Sequence, residues 1–341
     1  MKKWKLLTVL MAMMLLVLAA CSSKEGAKEE DKGDSADKPA EEQNEASSAY
    51  PLTIPGSTIE GRDGSTTFEE VTLDEIPEKV VVFDNGFLDT LDALGVEPTA
   101  VVQGSLPKYL SKFEDSKYVN AGTLFEPDYE KLSEIDPDII FISGRASAAY
   151  TELSKIAPTV YVGVDNTNFL ESFKTNVELA GKIFGKEQEA ADALADYEAK
   201  VEEVKGKATA SEEKALIVLG SEGSLSVFGP GSRFGVVHDV FGVKAVAEAD
   251  GFKIDSHGDN ASFEFVREKN PDILFVVDRD AVVNENGESA TKDAIENEIV
   301  SATNAIKNGK VFYLDPEVWY LSGGGLQSEA LKADDVLKAF N

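Results

Sequence analysis

Tyr129-Glu130-Lys131-Leu132-Ser133-Glu134-Ile135-Asp136-Pro137-Asp138-Ile139-Ile140-Phe141-Ile142 is followed three residues later by Arg145. The same pattern returns as Phe263-Glu264-Phe265-Val266-Arg267-Glu268-Lys269-Asn270-Pro271-Asp272-Ile273-Leu274-Phe275-Val276, again followed by an arginine, Arg279. The aromatic, the two glutamates, Pro-Asp, the apolar run and the final arginine all match at one offset of 134 residues. Each copy reads as a short helix, a Pro-Asp turn and a buried parallel strand with an arginine at its carboxyl end. Two related α/β lobes follow.

Working outward, residues 79–83, 99–102 and 159–162 are further strands, and the first lobe spans 70–165. Residues 215–219, 273–277 and 311–314 are strands of a second lobe over 211–341. Between them, 166–210 is a helical connector. Phe173, Val177, Ala180 and Phe184 recur at helical spacing, and no proline interrupts residues 170–205. One or two helices are expected there, the longer crossing from lobe to lobe, and stiff enough that large hinge closure is not expected.

The amino terminus has a purpose of its own. Lys2, Lys3 and Lys5 precede an apolar run from Leu6 to Leu18, too short to span a bilayer comfortably, which ends in Leu18-Ala19-Ala20-Cys21. This resembles a bacterial lipoprotein signal over 1–20, with Cys21 as the acylated new terminus. Cys21 is the single cysteine of the 341-residue chain, so no intramolecular disulfide can form and the fold must rest on its core. Residues 21–65 read as an acidic, disordered tether. Removing the signal leaves 30 of the 33 basic residues against 62 acidic ones. A chain this acidic excludes electrostatic binding to nucleic acid or to an anionic membrane, so lipid must do the anchoring.

In open α/β sheets, ligands sit beyond the carboxyl ends of the strands. Arg145 and Arg279 lie there, one per lobe, and there are five arginines in all against 28 lysines. A third, Arg233, lies in the glycine-rich loop Phe228-Gly229-Pro230-Gly231-Ser232-Arg233-Phe234-Gly235. Guanidinium groups suit oxyanions and stack on aromatic rings, though surface ion pairing is the plainer alternative. His257 sits in a polar loop and is a ligand-facing candidate, whereas His238 reads as structural. Trp319-Tyr320-Leu321-Ser322-Gly323-Gly324-Gly325 places a phenol at a strand-to-helix junction. Tyr320 is either a ligand group or a core aromatic, and Trp319, cleft wall or core, is grouped with the ligand-binding candidates. Gly220-Ser221-Glu222-Gly223-Ser224 is not a nucleophile elbow, and the Gly229 loop lacks the Gly-Lys-Ser/Thr of a P-loop. Two histidines and one acylated cysteine are too few for a dedicated zinc site. No enzyme motif emerges.

Together, the lipobox, the paired Glu…Pro-Asp repeat, the helical connector and the Trp319 segment resemble the iron–siderophore binding lipoproteins of ABC importers. Val81-Val82-Phe83-Asp84, Leu106-Pro107-Lys108-Tyr109-Leu110 and Ser232-Arg233-Phe234-Gly235 are most similar to the catecholate or petrobactin receptors. The resemblance covers residues 75 to 340. It implies the class III periplasmic-binding-protein fold, two Rossmann-like α/β lobes joined by a long helix. It further implies that Arg145, Arg233 and Arg279 cradle a ferric catecholate. By the same likeness, His257 and Tyr320 complete the iron shell where the siderophore leaves it open, and Glu130 and Glu264 dock on the permease. The expected partners are the ferric siderophore, the ABC permease with its ATPase, and the membrane through the lipid. A monomer on the extracellular face, with no intrinsic cofactor and no catalysis, is the resulting expectation. Haem, cobalamin or a hydroxamate siderophore is the alternative cargo on the same fold.

Overall fold

The structure, a computed structural model, describes residues 50–61, 64–248, 251–252, 258–284 and 286–341. The chain opens with β1 (Leu52–Ile54), β2 (Ser57–Gly61), β3 (Gly64–Phe68) and β4 (Val71–Leu73). β1 pairs with β4 and β2 with β3, both antiparallel. These strands correct the expected reach of the tether, since residues from 50 onward belong to the folded unit. Ile54 and Leu73 enter the main core, and Phe68 is buried against the rings of Tyr150 and Tyr161. β1 and β4 are three residues long and β2 and β3 are mostly polar, too little to stand out from the polar tract beside them.

The first half continues with β5 (Val80–Val82), α1 (Asn85–Ala93), β6 (Ala100–Val101), β7 (Val119–Asn120), α2 (Tyr129–Ile135), β8 (Ile139–Ile142), α3 (Tyr150–Leu153) and β9 (Thr159–Tyr161). Its five strands form one parallel sheet in the order β7-β6-β5-β8-β9. α4 (Phe169–Phe184) and α5 (Glu187–Ala210) follow, divided at Gly185, whose φ of 62° ends α4 in the left-handed region that favours glycine. At 24 residues α5 is roughly 36 Å long.

The second half runs β10 (Lys214–Ser221), β11 (Ser224–Phe228), α6 (Val236–Asp239), β12 (Lys244–Ala245), β13 (Asp259–Ala261), α7 (Phe263–Lys269), β14 (Ile273–Asp278), α8 (Asp280–Val283), α9 (Thr291–Ile295), α10 (Asn304–Lys307) and β15 (Val311–Leu314). A π-helical turn, Glu317–Leu321, and α11 (Leu326–Leu337) close the chain. The second sheet orders β13-β11-β10-β14-β15, with β12 also on β10. β12, β10, β14 and β15 are parallel, whereas β11 pairs antiparallel with β10 and β13 antiparallel with β11, extending the edge.

The two copies of the repeat fold alike. Asp128 and Ser262 cap α2 and α7, and both helices end in left-handed residues, Asp136 and Asn270. Asp and Asn tolerate that region, and the following proline disfavours further helix. The aspartate after each proline then fixes the neighbouring strand. Asp138 accepts the backbone N–H of Lys79, and Asp272 that of Lys214. Both repeat strands therefore lie inside their sheets, β8 between β5 and β9, β14 between β10 and β15.

Side chains alternate between two faces, as the strand period demands. Val80, Val82, Ile139 and Phe141 of the first sheet share one core with Ile217, Ile273, Phe275 and Val277 of the second. α4 and α5 contribute Phe173, Val177, Ala180, Leu194 and Tyr197 to that core. The opposite faces bury Val81, Ile140 and Ile142 in one separate cluster and Leu216, Val218, Leu274 and Val276 in another. Helical cover on both faces explains why the strands read as unbroken apolar runs. After the second sheet the chain returns across the molecule, and α11 packs on α5 and on α1 of the first half.

Candidate functional site

The repeat puts Arg145 three residues beyond β8 and Arg279 directly after β14, so both leave the carboxyl edges of their sheets. Arg233 follows β11 on the 229–235 loop. Ser232 Oγ donates to the Gly229 carbonyl at 2.5 Å, and the Gly231 N–H donates to Asp239 Oδ2 at 2.6 Å, which stiffens that loop.

All three arginines meet at Tyr320. Arg145 Nη2 and Arg233 Nη2 donate to its carbonyl oxygen, at 3.1 and 2.6 Å. Arg279 Nε donates to its hydroxyl at 3.0 Å. The guanidinium carbons of Arg233 and Arg279 also lie 4.5 and 5.7 Å from the centre of its ring. The carbonyl is free to accept because it stands in the last turn of the π-helical segment, where oxygens lack partners within the helix. A single residue on the crossing segment of the second half thus joins cations from both sheets.

Three residues that sequence reasoning missed stand beside Arg279 and Arg145. Arg279 Nη1 donates to Ser221 Oγ at 3.0 Å and lies 3.8 Å from Asp280, whose carboxylate is almost wholly buried. The other Asp280 oxygen accepts the N–H of Glu222, a residue at φ 51° in the turn between β10 and β11. On the first half, Asp84 caps α1 through the Phe87 N–H, with Ser143 and the charge of Arg145 beside it. Burial pushes the Asp84 carboxyl up, and those neighbours hold it back. Burial first, and then the like charge of Arg145, pull Arg233 down to about 10, partly offset by Tyr320. At neutral pH it remains a cation.

The remaining candidates separate. Trp319 is corrected from the ligand-binding group to the core. It is 1% exposed, packs edge-on against Phe234 and donates its Nε1–H to Asp335 at 3.0 Å. The turn that presents Tyr320 to the arginines sends its neighbour inward. His238 is also inside, with Nδ1 2.8 Å from the Val243 carbonyl and burial holding its pKa down. Glu130 and Glu264 are exposed, each in the first turn of its repeat helix. His257 and Cys21 lie outside the described residues, as does Arg62.

A cluster of guanidinium groups flanked by a phenol can hold a polyanion by charge-assisted hydrogen bonds and stack on aromatic rings. Comparison with known proteins points the same way. Residues 80–318 match the family described as periplasmic binding protein. The petrobactin-binding protein YclQ of Bacillus subtilis is 49% identical over 74% of this chain and 79% of its own length. Its crystal structure superposes with a TM-score of 0.76, covering 84% of this chain and 99% of the other. The ferric-anguibactin-binding protein FatB of Vibrio anguillarum is 34% identical over 77% of this chain and 83% of its own. The catecholate-siderophore binding protein VctP of Vibrio cholerae has a TM-score of 0.72 at 38% identity, covering 82% of this chain and 99% of its own.

Proposed function

We propose, from the premise that this chain belongs to the periplasmic binding protein family, that it captures a ferric catecholate siderophore and delivers it to an ABC permease. The convergence of Arg145, Arg233 and Arg279 on Tyr320 carries the reading. A ferric catecholate is anionic and ringed with aromatic faces, so it can take from each guanidinium both a hydrogen bond and a stacking contact. On a chain of net charge −29, a local concentration of fixed positive charge is what such an anion needs. The likeness to proteins that bind petrobactin and ferric anguibactin supports the same cargo class.

Iron enters as cargo. Phenolate oxygen and imidazole are suitable ligands for ferric iron, so Tyr320 and His257 are the side chains assigned to coordination positions that the siderophore leaves open. Glu130 and Glu264 are assigned to permease docking, and Cys21 to the lipid that holds the protein at the extracellular face of the cell membrane. The chain binds and releases without turnover.

The test is a fluorescence titration against ferric petrobactin, a ferric tris-catecholate, a ferric hydroxamate, haem and cobalamin, with Arg145→Ala and Arg233→Ala alongside. Selective quenching by the catecholates, weakened in both variants, is the expected result. Preference for haem, cobalamin or a hydroxamate would replace the cargo assignment.

A further inference from the structure

Helix α11 has glycine, Gly325, at its N-cap position, and glycine has no side chain with which to cap. The missing acceptor comes from the far half of the chain. Asp89, inside α1 and wholly buried, accepts the Gln327 N–H on Oδ1 at 2.8 Å and the Ser328 N–H on Oδ2 at 2.7 Å. One carboxylate thus satisfies two of the free N–H groups at the start of a twelve-residue helix. Gly325 is required for this approach, because a Cβ there would lie 2.4 Å from Asp89 Oδ2 and 2.5 Å from the Gly86 carbonyl.

The segment just before α11 is held by the same neighbours. Asn85 Nδ2 donates to the Leu321 carbonyl at 3.2 Å, and the Tyr109 hydroxyl donates to Ser322 Oγ at 2.7 Å. Gly86 and Gly323 touch so closely that a Cβ on Gly86 would fall 2.0 Å from the Gly323 oxygen. Tyr320, where the arginines meet, is one residue before this grip begins.

We propose that Asp89 is a positioning residue of the arginine site: by capping α11 from the opposite half it fixes the 321–325 crossing, and with it Tyr320. This rests on the reading of that site given above. The clamp is also sensitive to protons. The titratable groups around Asp89 are Tyr109, whose hydroxyl is 3.4 Å from Oδ2, and Glu329 on α11, paired at 2.7 Å with Lys332. Asp92 lies one turn on in α1, receives Gln327 Nε2 and pairs with Lys112. Glu329 is wholly buried and accepts the Gly324 N–H, and its second oxygen has no hydrogen-bond partner. Burial first, with the charge of Glu329 adding, raises Asp89 to about 6 against the N–H bonds that hold it down. The neutral acid is a weaker acceptor than the carboxylate and leaves one of its two oxygens protonated. Below about pH 6 the cap loosens and Tyr320 loses its fixed position.

Asp89→Asn mimics the protonated acid in shape. Affinity for the iron(III)–petrobactin complex should be measured for wild type and variant from pH 5 to pH 8. The ratio of the two constants cancels the ligand's own protonation. The expected variant binds roughly tenfold more weakly at pH 8 and matches wild type at pH 5. A ratio of one at pH 8, or one that does not change with pH, overturns the proposal. Hydrogen exchange at the Gln327 and Ser328 amides is read without ligand and separates this idea from the site reading. Arginine variants that bind normally would remove the site reading. Unchanged exchange in Asp89→Asn would remove this one.

Discussion

Tyr320 offers two oxygens and one ring face to three arginines, and this sharing sets what its substitutions report. Arg145→Ala or Arg233→Ala removes a charge-assisted contact and should cost about 1.5–3 kcal/mol of ligand binding, or roughly ten- to 150-fold in Kd. Isothermal titration with a ferric catecholate measures it, and a change below threefold would place the cargo elsewhere. Tyr320→Phe keeps the ring and the carbonyl but removes the hydroxyl. If that oxygen ligates iron, the charge-transfer band of a bis-catecholate complex should shift, while that of a tris-catecholate, which closes its own shell, should not. Identical visible spectra for both proteins would leave Tyr320 as cleft wall. The convergence was half legible in the sequence. Arg145 and Arg279 stood out because they repeat at equivalent strand ends. The acceptor for two of the arginines is a main-chain carbonyl, which carries no residue signature. Ser221 and Asp280 were equally hidden, since they act through a turn whose strand pairing only the sheet reveals.

At the scale of elements, the Pro-Asp pair does more than end a helix. Asp138 accepts the N–H groups of both Glu78 and Lys79, joining the turn before β8 to the start of β5. Asp138→Ala should therefore destabilise the fold by about 1–2 kcal/mol, seen as a Tm lowered by roughly 2–4 °C per kcal/mol, with ligand affinity retained. An unchanged Tm would show that water replaces the carboxylate without loss. The α1–α11 junction makes a prediction of opposite character. Asp89 is raised in the folded state, to about 6, so its contribution to stability is fully present below its ordinary value and is lost as pH rises through 6. Ionised above that pH, it costs about 3 kcal/mol of global stability. Chemical denaturation of wild type against Asp89→Asn should thus show wild type gaining relative stability as pH falls from 7 to 5. A difference independent of pH would mean that Asp89 does not titrate in this window. The helices and strands of the repeat were legible because period and punctuation agree there. β1 to β4 and the β10–β11 turn were not: β1 and β4 are three residues long, β2 and β3 are mostly polar, and β11 reverses directly onto β10.

For the whole molecule, the two-half plan followed from one internal repeat, whereas the return of α11 onto α1 did not. That contact rests on Asp89, Gly86 and Gly325, which lie more than 230 residues apart across the crossing and share no pattern. The same plan separates the surfaces proposed for cargo and for delivery. Arg145 and Arg279 leave the carboxyl ends of the two sheets and meet Arg233 at Tyr320, while Glu130 and Glu264 stand exposed on the repeat helices, within the first turns capped by Asp128 and Ser262. Each glutamate lies at the positive end of its helix, so reversal to lysine sets a cation against that end and should lower stability by no more than about 1 kcal/mol. Neither side chain makes a described ion pair or side-chain hydrogen bond that the fold would lose. The double variant Glu130→Lys with Glu264→Lys should therefore bind ferric petrobactin with wild-type affinity and fail to support its uptake by cells. Arginines on a permease would meet lysines instead of carboxylates, and like charges at a docking rim cost both encounter rate and register. Equilibrium titration of the purified variant and iron accumulation in cells carrying it are the paired measurements. Loss of binding in the purified protein would assign the two glutamates to the cargo site or to the fold, and normal uptake would remove them from the docking surface.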